Sequence, residues 1–299
     1  MSTNHLRFII LSGVLSLNGF LFGASHEELQ PYLEQTTVPR VKVRAVATIQ
    51  DPNDKQPSKR EITAYYFGDT IVLDIRDRLG RVVTKYHPDT TATQAWVNFA
   101  PSELVPNPQF LTLFYSTHNP YHYYAYARRK LLANQDAVKL ESSGSITHIS
   151  LPEPATGADA GFFLDGQLSF SFDSKRLVEI RRSFPTKEHP DQTVDVLNVH
   201  FSGFEPWSFG LPTKVQIRLS NHFEAANIQI QHIEPISPNI SANGILPSLT
   251  KGLTFLNDQT YRTFRHRYRN VYSVNPWVVG LGVLLGAIIV IRVIALKRK

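Results

Sequence analysis

The sequence predicts a mainly β, antiparallel domain held outside the cytoplasm, followed by an amphipathic helix and a single transmembrane helix. Three observations predict it. Apolar and polar residues alternate with period two in run after run between residues 41 and 235. Tight-turn residues separate those runs. An uncharged apolar segment lies near the start of the chain and another, broken only by Arg292, near its end.

Residues 1–25 read as a signal peptide. Arg7 precedes an apolar run from Phe8 to Phe22, and the small residues Gly23, Ala24 and Ser25 close it. Basic, apolar and small in that order is the pattern of secretion, with an uncleaved signal anchor as the alternative. Residues 26–40 form a short helix and linker. Ser25 and Glu28 have capping-box spacing, Leu29, Tyr32 and Leu33 share a helical face, and Pro31 keeps the helix short.

Residues 41–235 form the β domain. In VKVRAVATIQ, Val41, Val43, Ala45, Ala47 and Ile49 face one side, and Lys42, Arg44 and Thr48 the other. EITAYYF, TIVLDIRD, RVVTKYH and QAWVNFA follow, with Gly68-Asp69 and Leu79-Gly80 marking turns. The second half repeats the style in SITHISL, GQLSFSF, LVEIRRSF, TVDVLNVHFSGF, TKVQIRL and ANIQIQHI. The reading is about ten strands in a meander and few helices. Residues 236–252, rich in Pro, Ser, Asn and Gly, read as a linker.

From 253 to 274 the period becomes helical. Tyr261, Phe264, Tyr268 and Val271 fall on one face, and Arg262, Arg265, His266 and Arg269 on another. This predicts a helix lying in a membrane interface, the alternative being a solvated helix packed on the β domain. Residues 275–296 are long and apolar enough to span a bilayer, with Trp277 placed as an interfacial aromatic and Arg292 near enough to the end to snorkel. Gly282 and Gly286 have the spacing that lets such a span pack against a partner helix. Lys297, Arg298 and Lys299 form a basic cytoplasmic tail.

Composition narrows the function. The net charge is +6 and the sequence contains no cysteine, so an exported domain must hold together by its core. Export removes nucleic acid as a partner despite a pI near 9.4. The basic charge then meets anionic lipid, glycan or an acidic partner.

The stretch THNPYHYYAYARRK, residues 117–130, concentrates tyrosines, histidines and cations. His118 and His122 have the spacing of two metal ligands on a helix, but Pro120 lies between them and no third ligand is near. Asn119 as N-cap and Pro120 at the first turn predict a helix in which Tyr121, Tyr124, Ala125 and Arg128 share a face. A strand placing His122, Tyr124, Tyr126 and Arg128 together is the alternative. The segment is either an ordinary amphipathic helix or the lid of an apolar cavity, with Tyr124 at its mouth. The sequence carries no G-x-S-x-G, H-E-x-x-H, Walker or dinucleotide-binding motif, and so offers no catalytic set, metal or cofactor.

GRVVTKYHPDTTATQAWVNFAP, LSFSFDSKRLVEIRRSF and VLNVHFSGFEPWSFGLPTKVQIRL follow a leading exported helix. In that order they resemble the periplasmic lipoprotein-carrier and lipoprotein-sorting (LolA/LolB-like) superfamily over residues 27–235. The resemblance implies an incomplete antiparallel β-barrel, a half-barrel curved around a helix, whose concave face holds acyl chains or a partner peptide without chemistry. Tyr66, Leu73, Trp96, Phe99, Phe170 and Phe172 are the residues expected to line it. A transmembrane tether departs from soluble carriers and favours a fixed receiver, chaperone or sensor. The expected partners are membrane lipid, a lipoprotein or another membrane protein. Three functions remain: a tethered domain binding a lipid or lipidated partner, a membrane subunit that docks another protein, and a hydrolase with a dispersed site.

Overall fold

The computed structural model describes residues 26–50, 57–76, 80–87, 93–98, 117–157, 159–219 and 223–256. The chain is mainly β. Thirteen antiparallel strands form one sheet in the order β13-β5-β4-β3-β2-β1-β12-β11-β10-β9-β8-β7-β6. The first half of the chain builds one wing, β1 (Val41–Ile49) to β5 (Thr93–Val97), and the second half builds the other, β6 (Lys139–Ser143) to β12 (Phe223–Pro235). The wings join where β1 pairs with β12, Val41 opposite Pro235. The sheet is not closed, since β13 (Thr254–Leu256) and β6 stand at opposite edges. The four α-helices of the described residues are α1 (His26–Gln35), α2 (His122–Ala133), α3 (Asp159–Phe162) and α4 (Ala242–Leu249).

Alternation does what the sequence requires. Along β1 the odd-numbered residues are buried and the even-numbered ones are not. Leu168, Phe170 and Phe172 of β8 (Gly166–Asp173) also face the core. At Gly166 a Cβ would come within 2.2 Å of the Ser183 carbonyl oxygen, so the start of β8 has no room for a side chain.

The sheet bends around α2. Five flat strand spacings between β2 (Ser58–Phe67) and β9 (Arg176–Pro185) would cover roughly 24 Å. The path from the Tyr66 ring through Tyr121 and Tyr124 to the Leu177 carbonyl is shorter, with links of 5.6, 5.9 and 3.4 Å. Register shifts where β12 meets β1 and β11 (Lys214–Leu219), and where β9 meets β10 (Thr193–Ser202) and β8, supply local twist and bend. One hydrophobic cluster consequently runs from Ile71 and Val82 in the first wing to Ile149 and Phe170 in the second, with α1 and α2 inside it.

Three expectations need correction. Residues 236–252 are not a bare linker, because α4 forms there, with the Ser241 hydroxyl accepting from the Gly244 amide at 3.1 Å. Ala242 and Leu246 of α4 bury Val72 and Val83 on the outer face of the sheet, and Lys85 donates to Asn243 at 2.8 Å. Residues 254–256 are a strand rather than the start of the amphipathic helix, for β5 offers an open edge and Phe255 pairs with Trp96. The strands also number thirteen rather than about ten: β6, polar and almost wholly exposed, shows no alternation to read. The rest of the 253–274 helix, the signal peptide at 1–25, the span at 275–296 and the tail lie outside the described residues.

Candidate functional site

The concave face of the sheet is the candidate site, and α1 and α2 occupy it. α2 begins later than its sequence predicts, at His122, because Asn119 forms a tight turn of its own. Its Oδ1 accepts from the Tyr121 amide at 3.1 Å. The same Oδ1 accepts from the Tyr66 hydroxyl, and Nδ2 donates to the Tyr86 hydroxyl at 2.5 Å. A single buried amide therefore ties the entry of α2 to β2 and β4 (Arg81–Tyr86). From there Tyr121 donates to the Pro212 carbonyl at 3.1 Å, and Tyr124 meets Phe201 edge-on at 5.0 Å between centroids. The phenols of Tyr66, Tyr121 and Tyr124 are all pushed up by burial and stay neutral donors.

The cations of α2 are used inside the domain. Arg128 donates to the Leu33 carbonyl at the end of α1 and to the Thr37 hydroxyl, at 2.9 and 2.5 Å. Lys130 and Arg182 flank Glu153 at 3.3 and 3.5 Å. Tyr126 lies beneath Lys130, and burial together with Glu153 pushes its phenol up to about 12. The histidines do not converge. His118 is buried with its ring nitrogens against Arg60 and Thr117, at 2.5 and 3.0 Å. His122 meets Tyr123 edge-on at 5.2 Å, and burial with the nearby Arg129 lowers it to about 4.

α1 buries fewer apolar side chains than α2. Leu29 and Leu33 are its buried side chains among the apolar ones, and Tyr32 packs edge-on against Phe172 at 4.9 Å while its hydroxyl donates to Thr147 at 3.2 Å. Pro31 inside the helix removes one backbone donor.

Of the residues expected to line the groove, the structure brings Tyr66, Leu73, Tyr124, Phe170 and Phe172 together in one core, each at 1% exposure or less. Trp96 is a correction. Ala95 and Val97 take the inward positions of β5, so Trp96 points to the outer face, against Phe255 at 5.4 Å and beside Val83. Phe99 lies outside the described residues, as do Tyr261, Arg262, Phe264, Arg265, Tyr268, Arg269, Trp277, Gly282 and Gly286. Sequence reasoning missed Asn119 as a hub and α1 as the cover of the concave face. The one signal for the latter was the shared face of Leu29, Tyr32 and Leu33.

A second cleft of about 430 Å³ opens on the outer face of β9 to β11, lined by Glu179, Arg181, Asp195, Asn198, His200 and Arg218 among others. Both of its acids are paired within it. Arg181 reaches Glu179 at 3.0 Å and Asp195 at 3.6 Å, and Asn198 donates to Glu179 at 2.8 Å. Burial raises Glu179, but these donors outweigh it and hold the carboxyl below its usual range. Paired charges of both signs do not suit an acyl chain.

No family model matches the sequence, and no curated protein matches it. Solved structures similar to this chain include an outer membrane lipoprotein-sorting protein domain from Vibrio parahaemolyticus. Its TM-score is 0.43 at 9% identity, over 75% of this chain and 97% of that one. A DUF1329 family protein from Desulfovibrio piger gives 0.41 at 12% identity, over 74% and 98%.

Proposed function

We propose that this chain is a membrane-tethered, extracytoplasmic half-barrel that takes an acyl chain, or the acyl chain of a lipidated partner, between its sheet and α1, without covalent chemistry. The supporting observation is that a light, proline-containing helix covers an aromatic concave face that the sheet leaves open. Burying Leu29 and Leu33 contributes roughly 1.5–3 kcal/mol each. An acyl chain leaving water gains roughly 0.8 kcal/mol per buried methylene, so one of about a dozen carbons offsets the loss of those two leucines, and the Tyr32 and Arg128 contacts add to what it must replace. Release of α1 is the step that admits the lipid.

The apolar segments at 1–25 and 275–296 support export and tethering to the cell membrane. Among the described residues no helix is long and apolar enough to cross a membrane. Native mass spectrometry of the full chain released from detergent tests the reading. Lipid-bound species in stoichiometric amount are expected; a chain that never carries lipid, even after incubation with phospholipid, contradicts it.

One observation favours a second reading. The inner aromatic residues are fully buried as the domain stands, which suits a subunit that docks another protein, its span packing through Gly282 and Gly286. Lipid-free mass spectra together with a stable protein complex would favour that reading instead.

A further inference from the structure

The loop between β10 (Thr193–Ser202) and β11 (Lys214–Leu219) holds two aromatic side chains in water. Trp207 is 44% exposed and Phe209 55%. The loop is firmly built. Ser208, between them, is fully buried, its hydroxyl 2.8 and 2.5 Å from the carbonyl oxygens of Glu205 and Leu211. Thr213 donates to the Gly203 carbonyl at 2.7 Å. Phe209 has φ +56°, a left-handed conformation that an aromatic residue rarely adopts. The backbone thus holds an apolar ring outward in a disfavoured conformation, and strain of that kind points to a role.

The surroundings indicate the partner. Arg176 stacks over Phe204 of the same loop at 5.5 Å, and exposed Lys175 and Lys214 flank it. These three cations outnumber Asp173 and Glu205. The same rim of the sheet, where β10 and β12 end and β7 (Ile146–Glu153) begins, also exposes Ile146 at 40% and Ile240 at 43%. The last described strand heads for that rim too: Thr254 pairs with Val97 and Leu256 with Ala95, so β13 runs opposite to β5. Residues 257–299, with the apolar segment 275–296, follow from there.

We propose that this rim is the surface by which the domain meets a lipid bilayer, with Trp207 and Phe209 entering the headgroup layer and Lys175, Arg176 and Lys214 facing its phosphates. Tryptophan suits that layer, having an apolar body and a polar N–H. The inference rests on the tethered reading only for how the domain is kept near the membrane, and does not require the concave face to open.

The test uses the full chain carrying Trp96→Phe and Trp277→Phe, so that Trp207 is the one remaining tryptophan, with vesicles of phosphatidylcholine and phosphatidylglycerol. Brominated acyl chains are expected to lower Trp207 emission by at least about twofold, as for a ring at headgroup depth. Aqueous iodide should quench it less than in the vesicle-free chain, and Phe209→Ser should weaken the bromine effect. A chain that floats with the vesicles while Trp207 keeps its iodide access overturns this proposal and leaves the tether standing. Shielding from iodide without quenching by bromines on the acyl carbons nearest the headgroups means a protein contact, and also overturns it. A chain that does not float overturns the tether as well.

Discussion

Arg128 of α2 donates to the carbonyl of Leu33 at 2.9 Å, and so fastens the C-terminal end of α1 to the helix behind it. Thr36 and Thr37 give their hydroxyls to the same oxygen, at 2.9 and 3.1 Å. That carbonyl would otherwise be an unpaired acceptor at a helix end, where a cation is also favoured by the helix dipole.

Replacing Arg128 by Gln should therefore loosen α1 before it unfolds the domain. The expected cost is about 1.5–3 kcal/mol, typical of a hydrogen bond to a charged group. Hydrogen exchange should rise at the α1 amides, with the β1 and β12 amides changing little. Uniform acceleration throughout the sheet would contradict a local role.

Asn119 should be among the most sensitive positions. Asn119→Leu removes the acceptor shared by the Tyr66 hydroxyl and the Tyr121 amide, which keep their mutual contact at 3.3 Å, and the amide that donates to Tyr86. Losing a buried partner costs about 1–3 kcal/mol, so chemical denaturation should show a loss of at least that size. Adding Tyr66→Phe to Asn119→Leu should recover part of it, whereas Tyr66→Phe alone should destabilise. Simple additivity of the two would show that the pair is not coupled.

His122 gives a pH signature. Its folded pKa, about 4, lies below the ordinary 6.5. The neutral ring is therefore favoured in the folded state. Its contribution is fully present above pH 6.5 and is lost as pH falls from 6.5 towards 4, on the order of 3 kcal/mol in all. Glu179 and Glu234, both held below their ordinary value, act lower, below about pH 4.5. Urea denaturation at pH 7 and pH 5 should show His122→Gln losing less stability than the parent over that interval. Equal losses would remove His122 as the cause.

How much of this was legible in the sequence depended on which faces were covered. β1, polar on one face and apolar on the other, could be read residue by residue. β3 (Thr70–Arg76) could not be oriented so simply, since it is buried on both faces where α4 covers Val72. Trp96 was misassigned for the same reason: its strand is apolar inward at Ala95 and Val97 and outward at Trp96. α4 was hidden by Gly244 and Pro247, although Ser241 ahead of Ile245, Leu246 and Leu249 was a usable cap signal. The Asn119 hub joins residues more than thirty positions apart, and no local pattern encodes such a pairing.

If α1 covers a face that accepts an acyl chain, a reversible lock on α1 should control uptake. The chain has no cysteine, so Tyr32→Cys and Thr147→Cys create a unique pair where two hydroxyls now lie 3.2 Å apart. A short disulfide-forming bifunctional reagent then pins α1 to β7, and a reductant frees it. The pinned full chain should fail to take up a fluorescent fatty acid, and reduction should restore uptake. Equal uptake in the pinned and freed forms, or none in either, would contradict it.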